Sequence, residues 1–373
     1  MTYSIPLPKA EHRRAFWQWL RQFSILAALL VMIGLAIGWC LPYPWGAPKL
    51  SAKLDHLEQH SDAYNTFFIG SSYTYRHVSP KIFDREIKTL TDDPSRHTRS
   101  FNLGVDGMHQ PATGRLLRHL LDLDLPNMKT VVLELGRFTS AVDPGIDHTP
   151  EAQYWRTPRL TASMIRFLWN RPDKGFGQKV FQTGRLLAIQ VEASLNIGHG
   201  PRIIDYLLDK GSTDHHRHFL GPDNDGFYAV DRQAIDLTGE SLTSDLLEHP
   251  EAEKVLERMR SRATDAFTRP LDPVNPEGLV ILRALTAEAE EAGVDLYFLV
   301  PPRMTSRYRH LRPLFEHLPA ERLIWQMADP RQAPEFYRLD ESADRGHMNG
   351  AGAERYTRRL ARWIVDGGAS EAQ

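Results

Sequence analysis

The run FSILAALLVMIGLAIGWCL, Phe23 to Leu41, contains no charged residue. A helix needs about 20 predominantly apolar residues to cross a bilayer. This segment therefore predicts a single membrane span. Arg13, Arg14 and Arg21 precede it, while Lys49 and Lys53 follow more sparsely. The positive-inside rule then places residues 1–22 in the cytoplasm and the chain after the span outside it. Trp17 and Trp19 on one side, with Trp39, Tyr43 and Trp45 on the other, suit the two interfacial belts. A cleaved signal peptide has a shorter apolar core and a small-x-small exit, but the exit here reads GWCLPYPWGAPKL, bulky and proline-rich. A lipoprotein needs a small residue before its cysteine, and Trp39 precedes Cys40. A buried core helix would need cover on all sides, which nothing nearby supplies.

Residues 42–60 read as a juxtamembrane linker that becomes a short polar helix, SAKLDHLEQH. Beyond it, strand and helix patterns alternate. NTFFIG, RSFNLGV and TVVLELG are short apolar runs bounded by turn residues, the signature of buried strands. Between the last two, PATGRLLRHLLDLDLPN puts Leu116, Leu117, Leu120 and Leu121 on one helical face, with Pro111 at a permitted helix start. Such alternation predicts a parallel sheet covered by helices. It resumes late, with the helix PEGLVILRALTAEAEEAG, the strand VDLYFLVPP, a further candidate strand ERLIWQMAD and a closing helix GAGAERYTRRLARWIV. Residues 150–270 break the pattern, with helical patches RLTASMIRFLWN, RLLAIQVEASLN and RIIDYLLDKG among loops. The expected fold is a three-layer α/β/α, flavodoxin-like domain with a mostly parallel sheet. Its halves are 61–149 and 271–367, interrupted by the 150–270 insertion, preceded by one transmembrane helix and followed by a disordered 368–373 tail.

Charge and cysteine content narrow the function. Lys plus Arg total 45 against 47 Asp plus Glu, which argues against a nucleic-acid partner. The single cysteine, Cys40, rules out an internal disulfide and a cysteine-based zinc site.

One stretch raises a chemical question. Phe67-Phe68-Ile69 runs straight into Gly70-Ser71-Ser72. A serine just past a parallel strand stands at the carboxyl end of the sheet, where open α/β folds place their sites. A hydroxyl is a weak nucleophile and needs a base. Near the C-terminus, ADRGHMNGAG sets Asp344 and His347 three residues apart. In one turn the carboxylate can hold the imidazole and leave its other nitrogen for a serine, the arrangement of a triad. The nucleophile-elbow pattern G-x-S-x-G is absent, because Gly70 is followed by S-S-Y-T.

The chain resembles the SGNH/GDSL hydrolase superfamily, and especially its membrane-anchored bacterial members linked to surface polysaccharides. The family's G-D-S block is matched by G-S-S, with Ser72 on the nucleophile and Ser71 in place of the aspartate. NLGVDG matches its second block, so Gly107 falls on the glycine whose N–H helps form the oxyanion hole. D-x-x-H is matched by Asp344 and His347. The third block departs: in VVLELGRFT, Phe138 stands where the family has an asparagine. The resemblance covers about 61–145 and 276–366. It implies a serine esterase acting on an O-acylated, typically O-acetylated, glycan or exopolysaccharide, or an O-acyltransferase on the same substrates. A catalytically inactive component of an envelope assembly machine is the other alternative. It also implies a bacterial inner-membrane protein with its catalytic domain in the periplasm, working without metal or cofactor, with other envelope polysaccharide proteins as partners. Asn102 and Arg137 are the further candidates for binding the oxyanion or substrate, with a strand-end hydrogen bonder as the other reading of Asn102.

Several residues carry competing readings. Glu134, inside an apolar strand, is a buried charge needing a partner, for which Arg137 is a candidate. His215, His216 and His218 in TDHHRHF read as a solvated loop rather than metal ligands, having no matching ligand set elsewhere. GPDNDGF reads as a turn; it lacks the acidic residues of a calcium loop at the first and twelfth positions. Arg303, just past Pro301-Pro302, is expected at the surface, with contact to substrate as the alternative.

Overall fold

The computed structural model describes residues 10–41, 47–136, 138, 149, 155–208, 217–239, 250–304 and 307–367. Helix α1, Ala10–Cys40, contains a span, Arg14–Ile37, that is long and apolar enough to cross a membrane. Helix α2, Pro48–Gln59, follows. The short helix expected at the end of the 42–60 linker is present, but it is a core element rather than a polar linker helix. Leu50, Leu54 and Leu57, one turn apart, are fully buried in the main core. Lys53 is also buried, donating to the carbonyls of Gly104 and Gly226, both at 2.7 Å.

Among the described residues five strands form one sheet: β1 Thr66–Ile69, β2 Ser100–Asn102, β3 Thr130–Glu134, β4 Asp295–Leu299 and β5 Leu323–Ile324. Every pairing is parallel, in the order β2-β1-β3-β4-β5. This is the flavodoxin-like order, whose ligand crevice lies where the chain reverses direction between β1 and β3. Phe67 pairs with Phe101 on one side and Val131 on the other, and Val131 pairs with Leu296. All four are buried, as apolar runs in a doubly covered sheet should be.

The short helix α3, Ser72–His77, leaves β1 directly. Helix α4, Pro80–Leu90, and the closing helix α13, Gly350–Asp366, pack together over one face. Helices α5, Ala112–Asp122, and α11, Pro276–Glu291, cover the other. Their boundaries follow from capping chemistry. Asn275 and Asn349 accept from N–H groups of the first turns of α11 and α13, and Gly367 ends α13 at φ 63°.

The insertion contributes α6 Pro158–Trp169, α7 Phe176–Ser194, α8 Gly200–Leu208, α9 Val230–Thr238 and α10 Ala252–Thr268. The sequence patches anticipate α6, α7 and α8, although α7 starts nine residues before the patch RLLAIQVEASLN, at Phe176. Helix α12, Tyr308–Phe315, packs against α10. The GPDNDGF segment is a tight turn, with Gly221, Asn224 and Gly226 at positive φ. Gly226 lies against the Asn102 backbone, so close that a Cβ there would clash.

Candidate active site

An all-parallel sheet brings every strand's carboxyl end to one edge. Ser72 leaves β1 there as the first residue of α3, whose N-cap is Ser71. Gly70 makes the turn possible, because a Cβ on it would collide with Thr74 Oγ1 and Glu134. Glu134, at the end of β3, clamps the turn from below. Its carboxylate accepts from Ser71 N–H at 2.8 Å, Ser71 Oγ at 2.6 Å, Thr74 N–H at 3.3 Å and Thr74 Oγ1 at 2.7 Å. Burial pushes its pKa up, and these four hydrogen bonds oppose that shift. Thus the buried charge in the apolar strand is met by the Ser71-Thr74 turn. Arg137, the partner and site residue anticipated from sequence, lies outside the described residues.

The loop between β5 and α13 supplies the rest. His347 Nε2 stands 2.8 Å from Ser72 Oγ, and its Nδ1 stands 2.8 Å from Asp344 Oδ2. With Asp344 accepting from Nδ1–H, Nε2 is left as the acceptor for the Ser72 hydroxyl. The other oxygen of Asp344 accepts from the N–H groups of Gly346 at 2.6 Å and His347 at 2.8 Å. Burial works against ionisation of Asp344. The hydrogen bond and charge of His347, with those two N–H groups, outweigh it and hold the carboxyl at about 2.

His77, not singled out in the sequence, and Arg303, read there as a surface residue or a substrate contact, hold this loop. His77, on α3, is fully buried, and its Nε2 accepts from Met348 N–H at 3.0 Å. Burial, then the adjacent His347, pushes its pKa well down, which keeps it the neutral acceptor this contact needs. Arg303, past the end of β4, overturns both readings of it. It is 1% exposed, at φ 70°. Its guanidinium donates to Phe336 O at 2.7 Å, Ser342 Oγ at 2.8 Å, Arg338 O at 3.2 Å and His347 O at 3.3 Å. Burial lowers its pKa to about 10, so it stays cationic at neutral pH. The Pro301-Pro302 signal marked the strand end correctly, but nothing local indicated that the side chain turns inward.

The other candidates separate. Gly107 stands at φ 74° in the loop after β2, which Lys49 holds by an ion pair to Asp106. Among the described residues, the N–H groups of Ser72 and Gly107 have no protein acceptor. A first-turn N–H such as that of Ser72 has no partner within its own helix. Asn102 is corrected. Its Nδ2 donates to the carbonyls of Thr74 at 2.8 Å and Val78 at 2.7 Å, and its Oδ1 accepts from Gly104 N–H at 2.8 Å. Both amide hydrogens are spent on backbone, leaving none for an oxyanion. Asn102→Ala should therefore lower stability by about 3 kcal/mol, from buried backbone groups left unpaired, as read from urea unfolding. A drop in turnover with unchanged unfolding would restore Asn102 to the oxyanion site.

Phe138 forms a wall. Its ring stacks on Phe167 of α6 at 5.1 Å and 5°. Both line a cleft of about 850 Å³ that also carries Arg307, Arg309, Asp272 and Asn275. Arg307 lies near enough to act electrostatically on Tyr73, whose ring is 5.5 Å from that of His347. Of the histidine-rich stretch, His215 and His216 lie outside the described residues, and His218 is exposed, its ring 3.9 Å from that of Phe219.

No family model matches the chain, and no curated protein matches it.

Proposed function

We propose that this protein is a serine-dependent ester hydrolase acting outside the cytoplasm on an O-acylated glycan. The observation that carries the reading is the continuous Ser72–His347–Asp344 relay at 2.8 Å per link. Ser72 Oγ attacks the acyl carbonyl while His347 Nε2 takes its proton. Asp344 orients the ring and stabilises the imidazolium that forms. The N–H groups of Ser72 and Gly107 receive the oxyanion. Collapse of the tetrahedral intermediate returns the proton from His347 to the leaving sugar oxygen and leaves Ser72 acylated. Water then completes the cycle. A sugar hydroxyl in its place makes the same site an O-acyltransferase, and product analysis separates the two.

The glycan class is supported by the SGNH resemblance and by the apolar helix α1. The cleft walled by Phe138 and Phe167 is of small-molecule size, and its charged lining of Arg171, Asp173, Asp272, Arg307 and Arg309 suits a polar ligand such as a sugar. The intact relay opposes a retired site, even with Phe138 in place of the family's asparagine. The test uses the purified full-length chain with a fluorophosphonate probe and a panel of O-acetylated polysaccharides. Labelling with release of acetate, or its transfer, is expected. A protein that neither labels nor turns over any acylated glycan would sink the reading.

The anchor reading makes its own prediction. Arginines before the apolar run put the amino terminus in the cytoplasm. A C-terminal alkaline phosphatase fusion should be active and a C-terminal fluorescent protein that matures only in the cytoplasm should be dark. The reverse pattern would reject the topology.

A further inference from the structure

Helix α7 presents its apolar side outward. Its exposed stripe is Phe176, Val180, Phe181, Leu187 and Val191, with Gly184 between. Phe176 is 73% and Phe181 64% exposed, and no charged residue occupies a fully exposed position of the helix. Three of its polar side chains face inward onto α6, while the Arg185 guanidinium lies 6.0 Å from the Phe181 ring and Gln178 is exposed. Thr183 Oγ1 accepts from Trp169 Nε1 at 3.1 Å, Lys179 Nζ donates to Trp169 O at 2.8 Å, and Gln190 accepts from Thr161 Oγ1 at 2.6 Å. Helix α8 continues the surface with Ile204, Leu207 and Leu208, the last 81% exposed. A soluble domain does not present a stripe of this kind to water without a partner.

The partner is indicated by what lies beside the stripe. The end of α7 meets α1 at Gly34, inside the apolar span. Asn196 Nδ2 donates to Gly34 O at 3.1 Å, and a Cβ on Gly34 would come within 2.5 Å of Leu195 O. The apolar run continues past Gly34 to Leu41, which at helical rise is roughly 10 Å of depth. That matches the depth at which an amphipathic helix buries its apolar face, about 5–10 Å below the headgroups. The stripe is thus continuous with the lipid-facing surface of α1.

We propose that α7 and α8 lie in the membrane leaflet on the domain's side, apolar stripe toward the acyl chains, making the insertion a second membrane-contact element. This rests on reading α1 as a retained anchor, and the test keeps the two apart. In a Cys40→Ser background, single cysteines replace Phe181, Leu208, Leu29 in α1, and the exposed Glu257 of α10. The full-length protein carries an environment-sensitive dye at each in turn. It is reconstituted in phosphatidylcholine–phosphatidylglycerol vesicles with or without lipids brominated on their acyl chains. Loss of fluorescence at Phe181→Cys and Leu208→Cys comparable to that at Leu29→Cys is expected, with none at Glu257→Cys. Quenching at Leu29→Cys alone overturns the proposal and leaves the anchor standing. A blue-shifted dye at Phe181→Cys that bromolipid does not quench also overturns it, because the face is then covered by protein. Quenching at Phe181→Cys and Leu208→Cys without Leu29→Cys upholds the lipid contact and removes the anchor.

Discussion

Ser72→Ala should abolish ester cleavage and fluorophosphonate labelling together, while Ser71→Ala retains a measurable part of both. The two serines are neighbours, yet the structure gives them separate work. Ser72 Oγ faces His347 Nε2 at 2.8 Å, whereas Ser71 Oγ donates to Glu134 at 2.6 Å and caps α3 through Tyr73 N–H at 3.2 Å. Removing a nucleophile of this type costs about 10⁶ in turnover. Loss of a helix cap costs about 1 kcal/mol of stability. Asp344→Asn should cost about 10⁴, because an amide in that place no longer fixes the tautomer of the ring. The pH profile adds a check. With its folded pKa depressed from 3.8 to about 2, Asp344 contributes stability that is present above pH 4 and is lost as pH falls toward 2. Asp344 therefore stays ionised throughout the neutral range, and any loss of turnover between pH 5 and 7 must come from another group. Undiminished labelling of Ser72→Ala would reject the nucleophile assignment outright.

How far the sequence alone reaches follows from where the relevant forces act. β1, β3 and β4 are legible because a doubly covered parallel strand must be an apolar run, and runs such as TVVLE and DLYFL are short and sharply bounded. Ser72, Asp344 and His347 are legible because their spacing to a strand end or to each other is local. Helix α2 reads as a polar linker helix rather than a core element because its buried face is only Leu50, Leu54 and Leu57 among charged residues, one of which, Lys53, is itself buried. Helix α10 escapes notice because its inward face is largely alanine, Ala252, Ala263 and Ala266, with only Leu256 and Phe267 as large apolar residues. Asn102 illustrates a different limit. A carboxamide at a strand end looks the same in sequence whether it serves an oxyanion or two carbonyls of the neighbouring turn, and only the approach of Thr74 and Val78 decides. Arg303 is the furthest from legibility, since its acceptors lie 33 to 44 residues later in the chain.

Arg303→Ala should lower stability by about 3 kcal/mol, from the emptied buried volume and the lost hydrogen bonds, with turnover falling in whatever fraction remains folded. The guanidinium bonds to the carbonyls of Phe336, Arg338 and His347 and to Ser342 Oγ, and so spans the loop that presents the catalytic histidine. Its removal leaves the Phe336 carbonyl unpaired, at about 1–3 kcal/mol, and takes one donor each from Arg338 O and His347 O, which keep Ser342 Oγ and the N–H groups of Ala343 and Asp344. Arg303→Lys is the sharper variant. It keeps the charge, but one ammonium cannot reproduce a planar fork that reaches acceptors on both sides. Because His347 O is one of those acceptors, loosening it displaces the imidazole that links Ser72 to Asp344. A misplacement of about 1 Å at a reacting group costs about 100-fold in rate. Arg303→Lys, assayed well below its melting temperature, should therefore lose turnover about 100-fold while KM changes little, and its fluorophosphonate labelling should slow in parallel. Arg303 touches no substrate in this account, so a raised KM with unchanged labelling would instead make it a substrate clamp. A fully folded Arg303→Ala protein with normal labelling would show that the loop holds its histidine without help.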